Sequence, residues 1–179
     1  MASYSLRYAR SLFQVGRDEG SSTELRYGKL LASFVKNLAD SEELRLFLCG
    51  PHVSRMRKKE FLSEIFGDPD DLHFLNFLKI LVDNDRMEII FNIDLDYHRL
   101  ELDSQKIQVA VIESAFPLDD KTVEAVQEAF RKKTGAREIR TTVRLVPELL
   151  GGIRVIIGSK VYDGTTRSEL DRLHTAMKE

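Results

Sequence analysis

Residues 106–116 read KIQVAVIESAF, and at this stretch the pattern of apolar residues changes. Upstream of it, apolar positions recur every three or four residues, the spacing that lines one face of a helix. From Lys106 onward the chain turns β-rich. That one change predicts the fold class: an N-terminal all-α six-helix bundle over residues 1–105, followed by a small α+β C-terminal domain over residues 106–179. A length of 179 residues agrees with one or two domains.

The helical half breaks into six segments. SYSLRYARSLFQVG carries Leu6, Ala9, Leu12, Phe13 and Val15 on one face. STELRYGKLLASFVKNLAD opens at Ser22 or Thr23 as N-cap and places Leu30, Leu31, Phe34 and Leu38 on a stripe. SEELRLFLCGP begins with Ser41 as N-cap and stops at Gly50-Pro51. RMRKKEFLSEIFGDPDD, DDLHFLNFLKILVDND and DRMEIIFNIDLDYHRLELDSQ complete the run, and short connections make a bundle the economical arrangement. The fifth segment is unusual. Its apolar residues Leu72, Phe74, Leu75, Phe77, Leu78, Ile80, Leu81 and Val82 go nearly all the way round, whereas an outer helix needs a stripe of about 100°. Two readings follow: a fully buried central helix, or a helix with a second face for an amphipathic helix of another chain.

Downstream of 116, PLDDKTVEAVQEAFRKKTG is an amphipathic helix with Asp119 or Asp120 as N-cap and Gly135 as C-cap. REIRTTVRLV alternates, with Ile139, Thr141, Val143 and Leu145 on one side, which predicts a sheet with one wet face. GGIRVIIGSKVYDG reads as two strands around a Gly158-Ser159 turn. TTRSELDRLHTAM reads as a helix starting at Thr165 or Thr166.

Composition narrows the function. Residues 1–105 hold 14 Lys and Arg against 18 Asp and Glu, and residues 106–179 hold 13 against 11, too even a balance for a nucleic-acid partner. Cys49 is the one cysteine, so no intrachain disulfide forms and packing is its expected role. The N-terminus lacks a signal-peptide apolar run, and no stretch approaches the ~18 consecutive apolar residues of a membrane span, so direct membrane insertion is not expected.

The motifs for chemistry are incomplete. The glycines at 151, 152, 158 and 164 match neither G-x-G-x-x-G nor a P-loop. Asp94 and His98, four apart, share a helix face that could hold a hard metal, though a solvated acidic face explains them as well. DPDD at 68–71 lacks the rest of a calcium loop and reads as a helix start. The Arg55, Arg57, Lys58, Lys59 cluster is interleaved with Glu60 and Glu64, which favours a solvated face over RNA contacts. The expectation is a protein that is not an enzyme and takes no cofactor or metal. A small phosphate- or metal-dependent enzyme working through the C-terminal glycines or Asp94 and His98 is the alternative.

RYARSLF near the N-terminus and LLGGIRVIIGSKVYDGTTRSELDRL near the C-terminus resemble the delta subunit family of ATP synthase, called the oligomycin-sensitivity-conferring protein in mitochondria. Gly151-Gly152-Ile153, Gly158, Val161, Asp163-Gly164 and Leu170 fall where that family has them, as do Tyr8-Ala9 and Leu12-Phe13. Thr165 stands where the family usually has serine, and Ser168-Glu169 where it has glycine and a basic residue. The resemblance implies a non-catalytic stator subunit joining the catalytic head to the peripheral stalk, at the cytoplasmic face of an energy-transducing membrane, here a bacterial cell membrane. It further implies that the N-terminal bundle binds N-terminal segments of the alpha subunits, one lying as a helix between the first and fifth helices. The C-terminal domain would bind the stalk b subunits. Carried onto this chain, the groove positions are Tyr8, Leu12, Tyr27, Phe77 and Ile80.

Overall fold

The computed structural model describes residues 4–165. Six α-helices come first: α1 (Tyr4–Glu19), α2 (Ser21–Asp40), α3 (Glu42–Cys49), α4 (Arg55–Ile65), α5 (Leu72–Asp83) and α6 (Ile90–Ser104). They are followed by β1 (Ile107–Ser114), α7 (Asp120–Thr134), β2 (Glu138–Leu145), β3 (Gly152–Ile157) and β4 (Lys160–Thr165). The chain divides into two compact units at Leu102, inside the last turn of α6.

In the first unit one cluster gathers the apolar faces of all six helices around Tyr27, Leu31, Phe74, Leu78, Leu81 and Ile93. Local chemistry sets the helix ends. The Ser41 hydroxyl accepts from the Leu44 N–H and the Ser54 hydroxyl from the Arg57 N–H, starting α3 and α4. Helix α2 departs from expectation: it begins at Ser21 behind Gly20 with no side-chain cap, and Ser22 and Thr23 lie inside its first turn. Two segments joined to helices by periodicity are separate 3₁₀ turns, Pro69–Asp71 ahead of α5 and Met87–Ile89 ahead of α6. Asp68 caps the first of them, and its proline cannot supply the N–H that an α-helical continuation would use.

The second unit is a four-stranded mixed sheet in the order β2-β1-β3-β4. Strands β1 and β2 run parallel, a pairing that requires a crossover, and α7 supplies it. The other two pairings are antiparallel. Asp119 caps α7 by accepting from the Thr122 N–H, and Gly135 closes it with φ 70°. One face of the sheet (Ala110, Ile112, Ile139, Val155) packs against Val123, Val126 and Phe130 of α7. The alternation in β2 is only partly translated into burial: Ile139 is buried, but Val143 and Leu145 are exposed. Among the described residues β2 is an edge strand with a single partner, and α7 reaches it near Thr141, whose hydroxyl oxygen accepts from Gln127 Nε2 at 2.8 Å. The expected final helix lies outside the described residues apart from Thr165, which ends β4 as a strand residue.

The glycines of the 151–164 stretch have backbone roles. Gly158, at φ 58°, is the first residue of the two-residue hairpin turn joining β3 and β4. Gly152, at φ 75°, lies so close to β4 that a Cβ there would run into the Gly164 carbonyl oxygen and sit 2.9 Å from the Thr165 Cα. Arg154 then ties three strands, meeting Glu113 of β1 and Asp163 of β4 at 3.2 Å each. Substitution tests these two roles separately in urea denaturation. Gly158→Ala is expected to cost about 1 kcal/mol, the penalty of left-handed backbone alone. Gly152→Ala is expected to cost more than twice as much, because the clash is with backbone that cannot swing aside.

Candidate docking face

Helix α5 is first a core helix. Phe74, Leu75, Phe77, Leu78, Leu81 and Val82 are all buried by the chain itself, so most of the apolar circumference read from sequence is spent inside. Two residues are left over, Leu72 at 48% exposed and Ile80 at 49%. Helix α1 buries Ala9, Leu12, Phe13 and Gly16, and turns Tyr4 and Arg7 outward with Tyr8 at the margin. Where α1 meets α5, the Tyr8 ring stands edge-on to Phe77 at 6.4 Å between centroids.

A third element completes this face. Helix α5 ends with Asp85 in the left-handed region at φ 52°, the Asp85 N–H on the Val82 carbonyl and the Arg86 N–H on the Leu81 carbonyl at 2.8 Å. This is the Schellman arrangement, and it fixes Arg86 just past the helix end. The Arg86 guanidinium lies 4.4 Å from the Tyr4 ring centre and 5.9 Å from that of Tyr8, and its Nη1 donates to the Tyr8 hydroxyl at 3.1 Å. Arg7 stacks on the same Tyr4 ring at 4.6 Å. Arg86 thus joins the Tyr4 ring to Tyr8 of the Tyr8–Phe77 contact, Arg7 lies on the same Tyr4 ring, and Ile80 is one turn along α5 from Phe77.

The five positions carried over from the resemblance separate into two groups. Tyr8 and Phe77 meet where α1 meets α5, and Ile80 is half exposed one turn along α5. Leu12, one turn further along α1, is 2% exposed, and Tyr27 is fully enclosed with its ring stacked on Phe74 at 6.1 Å and its hydroxyl on Glu19 Oε2 at 2.9 Å. A docking segment meets neither side chain unless the core opens. The sequence does not single out Arg7 or Arg86 as residues of this face. The signal available for Arg86 was the Asn84-Asp85 pair ahead of it, since both residue types tolerate left-handed backbone.

The chemistry weighed as an alternative looks different in three dimensions. His98 Nδ1 sits 3.4 Å from Glu101 Oε2, and burial pushes the Asp94 carboxyl up from its ordinary range. Among the described residues no group of three His, Cys, Asp or Glu side chains could hold a metal ion. Burial also pushes the Cys49 thiol up, which lowers its thiolate fraction. The basic cluster is largely engaged within the fold: Arg55 pairs with Asp85, Lys59 with Asp83, and the buried Lys58 ammonium donates to the Gly50 carbonyl at 2.8 Å.

Comparison with known proteins places the chain in a family. The family model described as ATP synthase delta (OSCP) subunit matches residues 5–177. The ATP synthase subunit delta of Bacillus cytotoxicus is 37% identical over 169 residues, covering 93% of this chain and 91% of the relative. That of Oceanobacillus iheyensis is 32% identical over 170 residues, with the same coverage of 93% and 91%. In fold, the chain is similar to one in the Toxoplasma gondii mitochondrial ATP synthase hexamer, with a TM-score of 0.62, 23% identity and 99% of each chain covered. A chain of the Polytomella F-ATP synthase aligns with a TM-score of 0.51 and 19% identity over 57% of this chain and 89% of its own length.

Tyr27 provides a test of how firmly the core beside this face is closed. Burial, reinforced by the hydrogen bond to Glu19, pushes its phenol up to about 12. A raised phenol contributes stability that is complete below its unfolded value of about 10 and is lost as pH rises through the folded value. Stability followed by thermal melting is expected to fall between about pH 10 and pH 12, and Tyr27→Phe is expected to reduce that alkaline loss. An identical alkaline loss in the variant would show that Tyr27 is open to solvent.

Proposed function

Because the chain belongs to the ATP synthase delta (OSCP) subunit family, we propose that its two units divide the work of a stator between head and stalk. The chain is a non-catalytic subunit of the F-type rotary ATP synthase, a peripheral part of a membrane-associated complex. Its helices suit that place, since no described helix is long and apolar enough to cross a membrane.

The finer assignment is as follows. Helices α1 to α6 act as one bundle, and residues 1–105 hold the catalytic head through N-terminal segments of its alpha subunits. Residues 106–179 hold the b subunits of the peripheral stalk, at the cytoplasmic side of the membrane. One alpha segment lies as a helix along α1 and α5, in contact with Tyr8, Ile80 and the rim of Phe77, with Leu12 and Tyr27 supporting those contacts from beneath. The observation that carries this reading is the edge-on contact of Tyr8 with Phe77 where α1 meets α5, with Ile80 half exposed one turn further along α5. Function here is mechanical. A stator transmits reaction torque and catalyses nothing, so affinity and stiffness at two interfaces are the quantities that matter.

Two measurements test the assignment. A tagged chain added to membranes is expected to bring the synthase head with it through purification, and recovery of the chain alone would overturn the stator role. In calorimetry with a peptide copying the first 25 residues or so of the organism's alpha subunit, Ile80→Ala is expected to weaken binding by about 1–2 kcal/mol while leaving the melting temperature unchanged. Phe77→Ala cannot make this separation, since removing a buried Phe also costs about 3–5 kcal/mol of fold stability. Unchanged peptide affinity in Ile80→Ala would place the segment elsewhere.

A further inference from the structure

Beside the Tyr8–Phe77 contact lie two arginines, Arg7 and Arg86, that no described residue neutralises. The acids just before Arg86 are engaged elsewhere, Asp85 by Arg55 and Asp83 by Lys59. Among the described residues neither Arg7 nor Arg86 has a carboxylate within ion-pair distance. Both are nevertheless held in place. Each guanidinium lies over the Tyr4 ring, which is 55% exposed, and Arg86 is fixed further by its bond to the Tyr8 hydroxyl and by the turn that ends α5.

Stacking uses the flat face of a guanidinium and leaves its N–H edges open. Arg86 spends one of its five donors on Tyr8 Oη. A cation so positioned loses little rotamer freedom when it meets an anion, and its planar fork matches a carboxylate with two parallel hydrogen bonds. Resting on the docking role assigned to this face above, the geometry points to an acidic amphipathic partner segment. Its apolar residues cover Ile80 and the Tyr8–Phe77 edge, and at least one Asp or Glu on the neighbouring stripe takes the open edges of Arg86 and Arg7. Tyr4 and Tyr8 set the orientation of the two cations. The arginines thereby select register and partner, because an apolar helix without the acid would bury them unpaired.

Calorimetry on the full-length chain tests this with two peptides: one copying the alpha-subunit N-terminus, and one in which every Asp and Glu is replaced by Asn and Gln. The native peptide is expected to bind at least about tenfold more tightly, the scale of one charge-assisted hydrogen-bonded pair. In Arg7→Gln/Arg86→Gln the two peptides are expected to bind within about twofold of each other, the difference having been carried by the arginines. Arg7→Gln alone, at an exposed position, guards against a folding defect in the double variant and is expected to remove part of the difference. Equal binding of both peptides to the unaltered chain overturns the acidic-partner inference and leaves the docking face standing. Failure of both peptides to bind overturns the two together.

Discussion

The ring of Phe74 is the point on which the first unit depends. It is fully buried, stacked on Tyr27 at 6.1 Å and on Phe77 at 6.3 Å, and edge-on to Phe66 at 5.2 Å. Phe66 goes on to Phe34 at 5.7 Å, and Phe77 goes on to Tyr8 at 6.4 Å. One unbroken series of rings therefore runs from α2 and the end of α4, through α5, to the surface at α1. Each such contact is worth about 0.5–1.5 kcal/mol beyond the area it buries, and close-packed interiors transmit strain. In the proposed docking, a load at the Tyr8 edge enters this series of rings, which suits a torque-resisting subunit.

The second unit achieves rigidity by other means. Its central strand β1 is paired on both sides, parallel to β2 over eight residues and antiparallel to β3 over five. Arg154 links β1, β3 and β4 through Glu113 and Asp163, and Asp163 also takes the Thr165 hydroxyl at 2.6 Å and the Thr165 N–H at 3.0 Å. These bonds, from Thr165 first and Arg154 after it, hold the Asp163 carboxyl below the usual range. Among the described residues, polar cross-links stand here where the first unit uses aromatic rings, and one helix, α7, packs on the sheet.

What could be read from the chain was what is decided within a few residues. The change of period at Lys106, the caps at Ser41 and Asp119, the stop at Gly135 and the turn at Gly158 all follow from neighbours in sequence, and the structure has them there. What escaped was decided at long range. Tyr27 and Ile80 both read as available, and only the packing of α2 against Phe74 encloses the first while the second stays half exposed. Val143 and Leu145 carry the pattern of a buried strand face, but edge position and the reach of α7 determine their surroundings. Arg86 gives no periodic signal at all, since its role comes from a left-handed residue before it and two rings 78 and more positions earlier in the chain.

Because α5 presents its surface from the opposite side of the same rings that fill the core, inheritance at this face is uneven. In the proposed docking, a change at buried Phe77 alters folding and partner contact in one step, so such variants are removed by selection before any new specificity can be tried. Tyr4, Arg7, Ile80 and Arg86 sit outside that coupling. On the proposed docking they are the positions at which two diverging lineages could drift apart in partner preference while keeping the same interior, and a hybrid complex assembled from such lineages would fail at its rim before it failed at its centre.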